Sequence, residues 1–225
     1  MFNFEYKNGN IYIYGIEEFD LPHTLDCGQA FRWKEKNGLG WAATPAGLKA
    51  MEELEKLEDG TVVLYNTTTE DFENIWRDYF DLDRDYKKIV EILSVNETLK
   101  KACEYSYGIR ILNQEPFETL CSFIISQNNN IKRIKGIIER LCENFGEEKN
   151  GYYTFPTAEK MAALTLDDLA PLRSGFRAKY LLDAAKKVAS GEVDLNNLKN
   201  MPLDDARNEL MKIVGVGPKV ADCCL

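Results

Sequence analysis

Near residue 215 an apolar helical run meets Gly215-Val216-Gly217-Pro218 and resumes from Lys219. Few backbones accommodate that break. Glycine reaches positive φ without steric cost, and proline suits the first position of a helix rather than its interior. Met211-Lys212-Ile213-Val214-Gly215-Val216-Gly217-Pro218-Lys219-Val220-Ala221 therefore reads as helix, tight turn, helix. Glycines also let a backbone approach a ligand closely, and the N–H groups where a helix restarts are free to meet a phosphate oxygen. Gly215 and Gly217 are thus candidate phosphate contacts, of the kind that positions DNA without reading its sequence. A plain glycine turn between packed helices fits the same residues. Lys219 adds chemistry. Burial in an otherwise apolar helix would lower its pKa, and a neutral amine attacks an electrophilic sugar carbon to give a Schiff base. The alternative is a lysine that faces solvent or pairs with phosphate.

The texture of the chain divides it near residue 108. Before that point Phe2, Phe4 and Tyr6, then Ile11 and Ile13, alternate with other residues around Lys7-Asn8-Gly9-Asn10, which predicts a β-hairpin. Segments 29–33, 40–43 and 61–66 are further strand candidates, with helical spacing over 70–80 and 86–97. After it, apolar residues recur at helical spacing behind Pro116, over 131–145, 157–164, 165–172, 178–189 and 202–213. The expected organisation is an antiparallel sheet domain over 1–108 and a helical domain over 109–225. Residues 220–225 open an apolar helix without a terminating glycine or proline, so the chain is expected to stop inside an element.

A net charge of −9 weighs against a partner made of phosphates. The acidity is unevenly spread, however: residues 1–110 hold 13 basic and 21 acidic residues, and residues 111–225 hold 15 and 16. A basic patch is compatible with the second half. No apolar run nears the roughly 20 residues that span a bilayer, and the N-terminus lacks a secretion signal. The expectation is an intracellular monomer, in cytoplasm or nucleoid for a prokaryote and nucleus for a eukaryote, with reduced thiols. Six cysteines without a Cys-x-x-Cys pair, and a single histidine, His23, give zinc or iron–sulfur little to bind.

Gly215-Val216-Gly217-Pro218-Lys219-Val220-Ala221-Asp222-Cys223 closely resembles the hairpin of 8-oxoguanine DNA glycosylases/AP lyases. The likeness extends to Cys27-Gly28-Gln29-Ala30-Phe31-Arg32-Trp33, Glu115-Pro116-Phe117-Glu118-Thr119-Leu120, Ser126-Gln127-Asn128-Asn129-Asn130-Ile131-Lys132-Arg133-Ile134 and Gly175-Phe176-Arg177-Ala178-Lys179-Tyr180, in order along nearly the whole chain. It implies an α+β fold, a TBP-like antiparallel sheet followed by an all-α helix-hairpin-helix domain, and a partner, double-stranded DNA containing oxidised guanine. By the same resemblance Lys219 is the nucleophile, Asn128 enters the gap left by a flipped base, and Arg133 and Arg177 recognise the estranged cytosine. Phe176 stands where many relatives place a tyrosine wedge. Gly28 corresponds to the glycine whose carbonyl accepts the N7–H that 8-oxoguanine has and guanine lacks, and Cys223 to a thiol that packs on the base and pairs with Lys219. Without the resemblance, residues 128–130 read as a helix cap, Cys27-Gly28 as a turn, Cys223 as an apolar filler, and Phe31 and Trp33 as sheet core.

The chemistry requires no cofactor and no metal; a cation on the carbonyls of Met211, Ile213 and Val216 would be structural. The family's catalytic aspartate lies some twenty residues past the lysine, beyond this sequence, and Asp222 is too near Lys219 to replace it. Three rival readings follow: an alkylated-base glycosylase of the same fold, a non-catalytic DNA-binding remnant, and a hairpin used for protein contacts.

Overall fold

The computed structural model describes residues 2–36, 40–43, 52–149 and 152–225. They form two compact units, one reaching Asn113 and the other starting at Gln114. The first unit is built on a six-stranded antiparallel sheet of order β1-β2-β6-β5-β4-β3. Strands β1 (Asn3–Lys7) and β2 (Asn10–Tyr14) form the anticipated hairpin, pairing Tyr6 with Ile11. Asn8 and Gly9 take φ of 53° and 81°, the doubly left-handed turn that matches strand twist. Period-two alternation buries Ile11 and Ile13 completely. The short β3 (Lys34–Lys36) and β4 (Gly40–Ala43) lead to β5 (Glu52–Lys56) and β6 (Val62–Tyr65). Strand β5 escapes a hydrophobicity reading because Leu54 is its one apolar residue, yet Leu54 is fully buried, paired with Trp41 and Leu64.

Residues 29–33 are not the expected strand. The Gln29 side chain occupies that segment with backbone partners: its amide donates to the Thr24 and Arg110 carbonyls at 2.8 and 2.7 Å, and its oxygen accepts the Leu112 N–H at 3.0 Å. The loop nevertheless buries Phe31 and Trp33, whose indole donates to the Tyr79 hydroxyl at 2.9 Å. Helix α1 (Leu21–Leu25) starts at an Asp20 cap. Helix α2 (Thr69–Asp71), a π-helical turn (Phe72–Trp76) and α3 (Arg77–Tyr79) run on from one another and seat Phe72, Trp76 and Phe80 in the sheet's core. The helical run expected over 86–97 ends earlier, as α4 (Tyr86–Leu93). The Asn96 side chain then accepts from the Thr98 and Leu99 N–H groups and starts α5 (Glu97–Tyr105).

The second unit is helical. Helix α6 (Pro116–Ser126) has proline at its first position and the Glu115 side chain as its cap, and it packs against α7 (Ile131–Phe145), α9 (Arg177–Ala189) and α11 (Pro218–Cys224). Leu120, Ile124, Ile137, Leu181 and Ala221 are wholly buried. A small ribbon, β7 (Glu148–Lys149) with β8 (Tyr152–Tyr153), follows α7. Helix α8 (Ala158–Ala162) falls within 157–164 as expected. No α-helix forms over 165–172: Pro171 cannot donate within a helix, and a 3-10 turn (Ala170–Leu172) stands there instead. Helix α10 (Leu203–Met211) precedes the hairpin.

Candidate active site

The break at residue 215 is a hairpin between α10 and α11. Ile213 and Val216 point inward, and the Val216 N–H closes a turn on the Ile213 carbonyl at 3.0 Å. Gly215 takes a φ of 84°, and a Cβ there would lie 2.5 Å from the Tyr180 ring. Two independent constraints thus require glycine. Gly217 corrects the simple expectation for a Gly-x-Gly pair: its φ is −100°, ordinary extended backbone, and a Cβ would meet nothing within 4 Å. Among the described residues the hairpin spends its amides alternately. The Val214 N–H donates to Asp183 and the Val216 N–H to Ile213, whereas those of Gly215 and Gly217 have no acceptor.

Lys219 is the second residue of α11 and is exposed, the solvent-facing of the two placements that its sequence allowed. It makes no hydrogen bond or ion pair among the described residues. Cys223 lies four residues on, on the same helix face, and is also exposed, so it is no apolar filler. Its neighbour Cys224 is the thiol that turns inward: burial, with a lesser contribution from Cys223, pushes it up to about 12. Burial likewise holds Cys121 well above the usual thiol range, with Glu115 adding to it. Since the thiolate is the reactive form, iodoacetamide at pH 8 is expected to modify exposed Cys27 and Cys223 while sparing Cys121 and Cys224. Peptide mass spectrometry over time checks the order. Asp222 accepts from Arg207 at 2.7 Å, which ties α11 to α10.

A second cluster forms where α6 turns into α7. The three asparagines divide their work. Asn130 caps α7 by accepting the Arg133 N–H at 3.0 Å, and the Asn129 amide donates to the Ile125 carbonyl at 3.0 Å. Asn128 sits at a φ of 47°, left-handed and exposed, and its side chain has no partner among the described residues. The capping expectation therefore holds for two of the three.

Arg177 holds this turn. The residue is 2% exposed, and its guanidinium donates to the carbonyls of Gln127 and Asn128, the latter at 2.9 Å, and to that of Ser174 at 3.2 Å. Four of its five N–H donors are thus on backbone. Its pKa is lowered, chiefly by burial and then by the nearby Arg133. Arg133 itself is exposed, with one contact to the Arg173 carbonyl at 3.3 Å. Phe176 is 49% exposed, lies beneath the Arg177 guanidinium at 4.4 Å, and meets the Tyr180 ring edge-on at 5.8 Å. The fold therefore brings Asn128, Arg133, Phe176 and Arg177 together at the start of α9, and Tyr180 links that cluster to the hairpin.

Gly28 belongs to the first unit. It has a φ of 94°, and its carbonyl accepts no hydrogen bond among the described residues. Of the hairpin carbonyls considered for a cation, that of Ile213 already serves Val216, and the intervening Lys212 carbonyl takes the Lys187 ammonium. Asp183 and Lys187 lie outside the motifs, and Tyr180, the last residue of one of them, had no role assigned. Their spacing of three and four residues, one face of a helix, was the available signal.

The chain thus sets an antiparallel sheet unit ahead of a helical unit that presents a Gly-x-Gly hairpin and its lysine. Residues 11–120 match the N-terminal domain of 8-oxoguanine DNA glycosylase, and residues 121–217 match the HhH-GPD superfamily of base excision DNA repair proteins. The solved structure of MBOgg1 with a low affinity DNA ligand is 45% identical, with a TM-score of 0.93 over 100% of this chain and 78% of that one. The Clostridium acetobutylicum 8-oxoguanine glycosylase/lyase, solved with double-stranded DNA containing cytosine opposite 8-oxoG, is 40% identical, with a TM-score of 0.91 over 100% and 77%. The Saccharomyces cerevisiae N-glycosylase/DNA lyase is 32% identical over 98% of this chain, which spans 65% of that relative's length. The chain belongs to the 8-oxoguanine DNA glycosylase family.

Proposed function

We propose that this chain supplies the lesion-recognition residues and the Schiff-base lysine of an 8-oxoguanine DNA glycosylase/AP lyase that acts on duplex DNA with cytosine opposite the lesion. The observation that carries this reading is the unpartnered Lys219 amine at the start of α11, beside the unspent N–H groups of Gly215 and Gly217. Those two donors take a phosphate oxygen and position the strand. The lesion leaves the stack, because its sugar carbon is inaccessible inside a duplex. Asn128, its side chain uncommitted, enters the gap. Arg133 offers forked donors to the O2 and N3 of the estranged cytosine, and Arg177 adds its one remaining N–H while fixing the turn. The Phe176 ring presses on the neighbouring bases. The Gly28 carbonyl accepts the N7–H of 8-oxoguanine and confronts a lone pair on guanine.

The Lys219 amine then attacks C1′. The C1′–N9 bond breaks, its electron pair leaves with the base, and the base takes up a proton. The C1′–O4′ bond then opens with its electron pair on O4′, and of the two amine protons one has gone to the base and the other goes to O4′, which gives the Schiff base. Loss of a C2′ proton then expels the 3′ phosphate with the C3′–O electron pair. Electron pairs move only among lysine, sugar, base and the departing phosphate, with no net oxidation or reduction, so the scheme calls for no cofactor. A cation on the Met211, Ile213 and Val216 carbonyls would only brace the turn. Asp222 is engaged by Arg207 and is not assigned as the proton acceptor. Such work places the protein with DNA, in the nucleoid of a prokaryote or the nucleus of a eukaryote.

Base release from duplexes containing 8-oxoguanine opposite cytosine, 3-methyladenine opposite thymine, or no lesion tests the assignment. Release and strand cleavage confined to the first are expected. Release from the second would favour the alkylated-base reading, and binding without release a non-catalytic remnant. Absence of salt-sensitive binding would point to a protein-contact hairpin.

A further inference from the structure

We propose that Asp183, a residue outside every motif above, is a positioning residue for Lys219; the inference rests on the Schiff-base reading. Its carboxylate accepts the Val214 N–H at 2.7 Å, one residue before the Gly215 turn. Val214 is 51% exposed, so packing alone holds that peptide only weakly. The carboxylate is itself held by Lys187 at 3.3 Å, one helical turn further along α9, and the same ammonium donates to the Lys212 carbonyl. Helix α9 therefore grips the entry to the hairpin twice, with an anion on an N–H and a cation on a carbonyl two residues earlier. Both side chains are mostly shielded from solvent, at 27% and 19% exposure, and charge-assisted hydrogen bonds in such places hold geometry well.

Tyr180 adds a third contact from the same face, against Gly215. Beyond that point the chain has little freedom before the lysine: Val216 is buried, and Pro218 fixes its own φ. The direction in which Lys219 leaves the hairpin is thus set by the orientation of the 212–215 segment on α9. The start of that helix carries Arg177, which holds the Asn128 turn. Through Asp183, α9 acts as a ruler between the gap-filling asparagine and the nucleophilic amine. A displacement of about 1 Å at a reacting atom can cost on the order of a hundredfold in rate.

Single-turnover borohydride trapping on duplex with 8-oxoguanine opposite cytosine tests this. Asp183→Ala is expected to trap about tenfold or more slowly, with the Kd for the duplex within about twofold of wild type. Asp183→Asn, whose amide oxygen still accepts from Val214, is expected to keep most of the rate. A merely structural role would lower thermal stability without this split between rate and Kd. Asp183→Ala at the wild-type rate, or Asp183→Asn as slow as Asp183→Ala, overturns the proposal. Amide hydrogen exchange on the wild-type chain provides a measurement that needs no variant: the Val214 N–H is expected to be protected, and free exchange there overturns the anchor. Failure of the wild type to trap at all, with Val214 protected, would instead reject the Schiff-base reading and leave the anchor standing.

Discussion

Gly215→Ala is expected to destabilise the helical unit by about 3 kcal/mol, the sum of a left-handed backbone and an overpacked contact. The backbone contribution comes from the φ of 84°, which costs an L side chain roughly 1–2 kcal/mol. The packing contribution comes from the Tyr180 ring, whose Cδ2 and Cγ lie 2.5 and 2.6 Å from the new Cβ. These atoms are at the base of the ring, so no flexible tip can swing aside. Gly217→Ala supplies the control: its φ is ordinary and its Cβ position is open, so only its capping of α11 is weakened, and a loss of about 1 kcal/mol or less is expected. Denaturant midpoints at unchanged m-value compare the two. Equal losses would show that the hairpin geometry is wrong.

Arg177→Met is the second large effect. The methionine fills part of the volume but leaves the carbonyls of Gln127, Asn128 and Ser174 without their donors. Hydrogen bonds to a charged partner contribute about 1.5–3 kcal/mol each and do not add fully, so a loss of about 3 kcal/mol is expected. The cost should include function as well, because the left-handed Asn128 turn loses its clamp and duplex binding weakens. Arg177→Lys should recover little of either. A single ammonium cannot span carbonyls that a planar fork reaches together. Full stability in Arg177→Lys would contradict the clamp.

These cases show what the sequence made legible. Gly215-Val216-Gly217-Pro218 announced a helix break because only glycine and proline combine those backbone demands, and period-two alternation around Asn8-Gly9 announced a hairpin. Strand β5 is hidden because Leu54 is its one apolar residue, and residues 29–33 mimic a strand although side-chain hydrogen bonds from Gln29 to the backbone stand there in place of a ladder. At the site, the resemblance picked out Asn128, Arg133, Phe176 and Arg177, and the fold brings them together. What the residues could not show was direction: that Arg177 points into the backbone, that Lys219 faces solvent, and that Cys224 rather than Cys223 turns inward. Orientation around a helix axis depends on its packing partners. For α9 and α11 those partners lie far away in sequence.

Lys219 as nucleophile and Lys219 as phosphate contact differ in one product, a covalent bond to the sugar. Borohydride reduction during incubation with duplex containing 8-oxoguanine opposite cytosine tests for that bond most directly, because only a Schiff base is reduced to a stable protein–DNA adduct. The wild-type chain is expected to give one covalent adduct mapping to Lys219, and Lys219→Gln to give none while remaining folded. An undiminished adduct in Lys219→Gln, or a folded, duplex-binding wild type that gives no adduct, would contradict the assignment.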